Sequence, residues 1–374
     1  MPVPLPTPDD ELRTPPGPSE VTEVAHGVLS AAAGDDGPTE LQQLLVSSLF
    51  ASMTGHEPDL THPANLDAEA LAHVLARRGE AYRRRIVQVM ALTALVLNPL
   101  PTNVSDQLDE YADALCVDDD LLAAAHHLSD HSLSLVQIDF NRNGYLGEVA
   151  TSLATPAGPD DVWGRSDDDP ALAARWASLG DLPAGTLGRG VHDFYVARGF
   201  EFPGSPDSAP PLLAQHDWVH VLADYGTTVE NELEVFGFIA RANDDPRAFS
   251  LLAMVVSVFE TGALARGAGI FEADAGHLSR LGMSRRLGDA MRRAALCQGS
   301  NDFLAMDWFA IADRPVDVVR NELALPAKDP LARSLGSVGP WQPGGITPYQ
   351  WAAGQAKASR EDREYDGYGA RLLD

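Results

Sequence analysis

The chain has 374 residues, a formal net charge of −27, 45% hydrophobic residues and 22% charged residues. This is globular composition, with length enough for two domains. The surplus of carboxylates repels phosphate backbones and anionic surfaces, so nucleic acid is excluded as an expected partner.

Residues 1–20 carry seven prolines among polar residues and are expected to form a flexible tail. The tail has neither the basic start nor the apolar run of a signal peptide. The apolar runs Ile86–Leu97 and Phe249–Phe259 fall short of the ~20 residues that a spanning helix needs. A cytoplasmic protein is expected. Cys116 and Cys297 are far apart and flanked by apolar residues, which predicts buried free thiols rather than a disulfide framework.

From residue 21 to 150 the sequence reads as a helical bundle. Leu41, Leu44, Leu45 and Leu49 repeat at helical spacing, as do Ile86, Val89, Met90, Thr93 and Val96. Pro99 and Pro101 end the second of these helices, and Ser105 opens another through Leu108, Tyr111 and Leu115. The triplet Arg83-Arg84-Arg85 reads as a solvated helix end. His126, His127 and His131 form a small cluster on a further helix, after a capping run Asp118-Asp119-Asp120.

Residues 151–170 have the composition of a linker, with Pro156, Gly158, Pro159 and Asp167-Asp168-Asp169-Pro170. A second helical domain is expected over 171–326, with helical periodicity in Leu233–Ala242, Arg247–Leu264 and Ser284–Leu296. Residues 327–374, rich in Gly, Pro and Gln, are expected to be an irregular C-terminal tail. The fold class is therefore all-α, with two helical domains.

The chemistry concentrates in Gln215-His216-Asp217-Trp218-Val219-His220. Histidines four residues apart share a helix face and can chelate one ion. Asp217 can ligate, or can orient a histidine from behind. On one unbroken helix Glu232 would point away from His216. The stretch Tyr225-Gly226-Thr227-Thr228 interrupts that helix, and Thr227 with Glu230 reads as a capping box for a new one. Glu232 can then fold back over the pair. Two nitrogens and two carboxylates suit a divalent metal: zinc first, with manganese or iron(II) also compatible.

His-Asp-x-x-His followed by eleven residues and Glu resembles the signature of the Coq-four family of coenzyme Q biosynthesis proteins. The resemblance takes in Leu182-Pro183-Ala184-Gly185-Thr186-Leu187-Gly188, then Phe194, Tyr195, Gly199 and Phe200, then Val221-Leu222 and Tyr225-Gly226. It closes with Met306-Asp307-Trp308 and Pro315-Val316-Asp317-Val318-Val319-Arg320. It runs in order from Leu179 to Leu325. It implies an all-helical domain with His216, Asp217, His220 and Glu232 as metal ligands. It also implies a quinone-like or isoprenoid-tailed small molecule in an apolar groove, peripheral membrane contact, protein partners and a homodimer. The groove is expected from Phe236–Ile239 and Leu251–Phe259. The implied activity is ring decarboxylation with hydroxylation in ubiquinone biosynthesis, and the alternative is a non-catalytic lipid-binding scaffold with a structural metal. Ala214 and Gln215 replace the basic residue that often precedes the family motif.

Two further resemblances bear on the reading. Gly34-Asp35-Asp36-Gly37-Pro38-Thr39-Glu40 and Asn98-Pro99-Leu100-Pro101-Thr102 each follow an apolar helix and precede an amphipathic one. This arrangement resembles the TerB-like domain of tellurite-resistance proteins, a helical fold with acidic turns. The second turn has Asn98 and Pro99 where an acidic pair is expected. His216-Asp217 also resembles the dipeptide of HD-type phosphohydrolases, with His192 as the upstream histidine.

Overall fold

The structure, a computed structural model, describes residues 16–61, 64–94, 97, 101–117, 169–206, 208–209, 211–242, 277, 280–299, 301–370 and 372. Thirteen α-helices lie among these residues: α1 (Pro18–Ala32), α2 (Glu40–Thr54), α3 (Ala68–Val74), α4 (Glu80–Ala94), α5 (Thr102–Ala114), α6 (Pro170–Ala177), α7 (Leu187–Arg198), α8 (Pro211–Ala223), α9 (Val229–Ala242), α10 (Met283–Ala295), α11 (Val316–Glu322), α12 (Pro330–Ser334) and α13 (Pro348–Arg360). There is no strand among the described residues, only the isolated bridges Gly34–Gly37 and Thr186–Pro315. The described residues are therefore all-α, as expected. The His126, His127 and His131 cluster, the Asp118-Asp119-Asp120 run, and nearly all of the expected linker lie outside the described residues.

The chain divides into two compact units. One draws on 1–145, 236–264 and 273–296, the other on 146–235, 265–272 and 297–374. The units interleave along the sequence, whereas the expected boundary at 151–170 would place 171–326 in one body. Thus α10, expected in the second domain, packs on α2 in the first unit.

The first unit is held by apolar stripes at helical spacing. Val21, Val24, Val28 and Leu29 of α1 are buried, as are Ile86, Val87, Met90 and Leu92 of α4. Thr39 begins α2 through a capping box with Gln42. Gln42 is itself buried, and its Nε2 donates to the Ala32 carbonyl at 2.6 Å and the Thr93 carbonyl at 3.2 Å. One amide thereby satisfies carbonyls near the ends of two neighbouring helices. The turns 34–37 and 101–103 meet where Asn103 Nδ2 donates to Asp35 Oδ1 at 2.9 Å. Several expectations are corrected here. Helix α5 starts at Thr102 rather than Ser105, whose hydroxyl donates back to the Thr102 carbonyl. Arg85 is buried rather than solvated, and Cys116 is exposed while Cys297 is buried. Phe236, Phe238 and Ile239, expected to line a groove, are buried in this unit, where Gly237 lies against Leu287. Leu251–Phe259 lies outside the described residues.

The second unit is built on aromatic packing. Trp218 of α8 stacks on Trp308 at 5.7 Å, and Trp176 of α6 meets both Trp218 and Phe309. Residues 327–374, expected as an irregular tail, contain α12 and α13, and α13 packs against α7. That approach is backbone on backbone. Gly199 ends α7 in the left-handed conformation (φ 70), and a Cβ there would lie 2.6 Å from the Ala353 carbonyl carbon. A Cβ at Gly354 would lie 2.4 Å from the Ala197 oxygen. We expect Gly199→Ala to destabilise this unit by roughly 1–2 kcal/mol from the left-handed backbone alone, with the clash adding to it. Urea unfolding followed by tryptophan fluorescence measures the loss.

Candidate metal centre

Helix α8 carries His216, Asp217 and His220. It ends at Ala223, and Asp224 turns the chain in the left-handed region (φ 67). The helix break expected at 225–228 is present, but the cap is shifted by one residue. Thr228, rather than Thr227, receives the Asn231 N–H on its hydroxyl at 3.4 Å, and its carbonyl accepts from Glu232 N. Glu232 then falls in the first turn of α9 and returns toward α8.

His216, Asp217 and His220 form a buried group that could hold a metal ion: one ligand atom from each lies within 4.8 Å of the others. Glu232 Oε2 is 3.5 Å from His216 Nε2 and 3.3 Å from His220 Nε2. Asp217 Oδ1 is 3.5 Å from His216 Nε2. His220 is 0% exposed and Glu232 1%. Among the described residues, neither His220 Nε2 nor Glu232 Oε2 has a hydrogen-bond partner. Buried polar atoms that face each other without a well-formed hydrogen bond are costly, and a cation between them would remove that cost.

The imidazole of His220 is fixed from behind. Its Nδ1 lies 2.8 Å from the Gly226 carbonyl and 3.3 Å from that of Tyr225. A carbonyl only accepts, so Nδ1 carries a proton, and Nε2 is the ring nitrogen left facing Glu232, the one a metal ion would take. Phe194 stacks on the same ring at 5.3 Å.

The carboxylates respond in opposite directions. Burial raises Asp217, against the opposing pull of His216, His220 and the Tyr195 hydrogen bond. Burial also pushes Glu232 upward, but the His220 and His216 imidazoles together outweigh it and hold the carboxyl at about 2. The difference follows from position, since Glu232 faces both ring nitrogens at close range.

Three supporting residues carry roles that the sequence did not disclose. Tyr195 donates to Asp217 Oδ2. Fully buried Arg198 donates to Thr227 Oγ1 at 2.9 Å and to the Gly345 and Pro340 carbonyls at 2.8 and 3.0 Å. Its guanidinium lies 3.9 Å from the centroid of the Phe194 ring. Thr227 in turn donates to Gln350 of α13. In sequence, Arg198 looks like an ordinary cation in the last turn of a helix; only its long-range acceptors reveal it. Burial pushes its guanidinium down to about 9, opposed by Asp217 and Glu232, so it stays charged at neutral pH.

His192 is drawn elsewhere. Its Nδ1 lies 3.2 Å from Asp193 and its ring stacks on Phe202. A cleft of about 390 Å³ is lined by residues including Arg189 and Asp193 of α7, Asp224, Arg320, Trp341 and Tyr368. No helix among the described residues is long and apolar enough to cross a membrane.

Replacing Arg198 by Ala strands several buried acceptors, each worth ~1–3 kcal/mol when left unsatisfied. We expect a loss on the order of 3 kcal/mol or more and weaker metal uptake, measured by chemical denaturation and by metal titration of the folded fraction. No protein-family model matches the chain, and neither a curated protein nor a solved structure matches it.

Proposed function

We propose that the chain is a divalent-metal protein of Coq-four type, with His216, Asp217, His220 and Glu232 as ligands of one ion and zinc as the first candidate. The observation that carries this reading is the buried group of His216, Asp217 and His220, with Glu232 Oε2 converging on it 3.3 Å from His220 Nε2 and 3.5 Å from His216 Nε2. Two neutral imidazoles and two carboxylates balance a 2+ charge, so the set can be buried without net charge.

The substrate class rests on the sequence resemblance over 179–325 alone. It is a quinone-like or isoprenoid-tailed molecule, and ring decarboxylation with hydroxylation is the proposed reaction class. A bound ion there supplies Lewis-acid polarisation of a carbonyl or carboxylate. The chain's own part is to hold His220 through Nδ1, hold Asp217 through Tyr195, and keep the donor set away from bulk water.

A second reading is favoured by the depth of the site. Four protein donors at near-zero exposure suit a closed structural zinc site, in a non-catalytic lipid-binding scaffold.

Purified protein should contain about one divalent ion per chain, and His216→Ala and His220→Ala should abolish it. Metal at 100 times its Kd should add about 2.7 kcal/mol of stability, lost on chelation. Near-zero metal in the wild-type chain and no response to added zinc, manganese or iron would refute both readings. Glu232→Ala separates them: a scaffold loses stability only, whereas an enzyme loses turnover of a carboxylated quinone precursor in the fraction that remains folded and metal-loaded.

A further inference from the structure

We propose that Tyr195 is a positioning residue that makes Asp217 a one-oxygen metal ligand. The inference rests on the metal reading above and deepens it. Tyr195 lies on α7, one residue after the Phe194 that stacks on His220. Its ring is buried, stacked on Phe202 at 5.6 Å and set against Trp176 at 5.2 Å, so it has little freedom to turn. Its hydroxyl donates to Asp217 Oδ2. The other oxygen, Oδ1, is the one 3.5 Å from His216 Nε2. A carboxylate with one oxygen held by a fixed donor offers only the other to an ion. The donor also fixes the rotation of the carboxyl group about its own axis. Removing the hydroxyl would free both oxygens, and Asp217 could then chelate through the pair.

Cobalt(II) is the probe, because its visible absorption is strong in four-coordinate sites and weak in five- or six-coordinate ones. Tyr195→Phe should bind Co²⁺ roughly 10–100-fold more weakly and show a weaker, shifted visible band. Tyr365→Phe is the control. It removes another tyrosine hydroxyl bonded to α7, at the Ala197 carbonyl, and should leave affinity and band unchanged. Circular dichroism in the presence of chelator checks that both variants fold. Should Tyr195→Phe not fold, 3,5-difluorotyrosine placed at 195 keeps the ring and strengthens the donor, which draws charge from Asp217, so Co²⁺ affinity should fall while the four-coordinate band persists. If the wild type binds Co²⁺ and the altered residue 195 leaves both affinity and band unchanged, this inference is overturned while the metal centre stands. If the wild type takes up no Co²⁺, the metal centre falls and the inference with it.

Discussion

Arg198 carries a positive charge in a fully buried position, so the chain itself has to supply every acceptor around it. Those acceptors come from parts of the sequence far from one another: the Phe194 carbonyl in its own helix, Thr227 in the loop after α8, and the Pro340 and Gly345 carbonyls near the C-terminus. Meeting them fixes where the loop 225–228 lies relative to α7. The same loop is held on its donor side, because Gly226 N donates to the Val338 carbonyl and Thr227 N to that of Gly345. With both N–H groups engaged there, the Gly226 carbonyl turns toward α8 and receives Nδ1 of His220. The orientation of a candidate metal ligand thus depends on a cation and on a C-terminal segment that never touch the ligand atom.

Charge inside this region is constrained as tightly as geometry. Asp217 and Glu232 are both buried, and Arg198 is a cation that feels the charge of both, besides the His216 and His220 imidazoles that act on them directly. Arg198 hydrogen-bonds neither of them; its N–H groups go to neutral acceptors. It therefore lowers the cost of two buried negative charges without competing for their oxygens. The oxygens remain for Tyr195 on one side and for the imidazole pair on the other.

What could be read from sequence follows the range of each interaction. His216 and His220 share a face because of helical period, a local rule, and the structure groups them with Asp217. The interruption at Gly226 was legible for the same reason, since turn residues act over a few positions. The cap itself was misread by one residue: Thr227 and Thr228 are both capping residue types, and only the demand of Arg198 and Gln350 for the Thr227 hydroxyl decides between them. Tyr195 entered only as part of a resemblance and Arg198 not at all; neither role was legible, because their partners lie 22 and up to 147 positions away. Residues 327–374 looked irregular because Gly and Pro recur through them. Yet Gly354 is where α13 meets α7 closely, and carbonyls of this segment complete the shell of Arg198. The exposed Cys116 sits just after α5 at positive φ, a position that neighbouring apolar residues could not disclose.

The helix ends add a field to this arrangement, and its size shows what it can do. His220 lies in the last turn of α8 and Glu232 in the first turn of α9. The carboxyl end of α8 favours a cation, and the amino end of α9 favours a carboxylate. Arg320 exploits the first, donating to the Val221 and Leu222 carbonyls at 3.0 and 2.7 Å. Such helix-end effects amount to ~0.3–1 kcal/mol each, up to ~2 when partly buried. Stripping an ion of its water costs several kcal/mol even after the protein relaxes. The helix ends can therefore orient and tune this site, but they cannot by themselves draw a divalent ion into it. Direct bonds from the imidazoles and carboxylates would have to supply the difference, and the hydrogen bonds that hold His220 and Asp217 from behind would keep those donors in place for it.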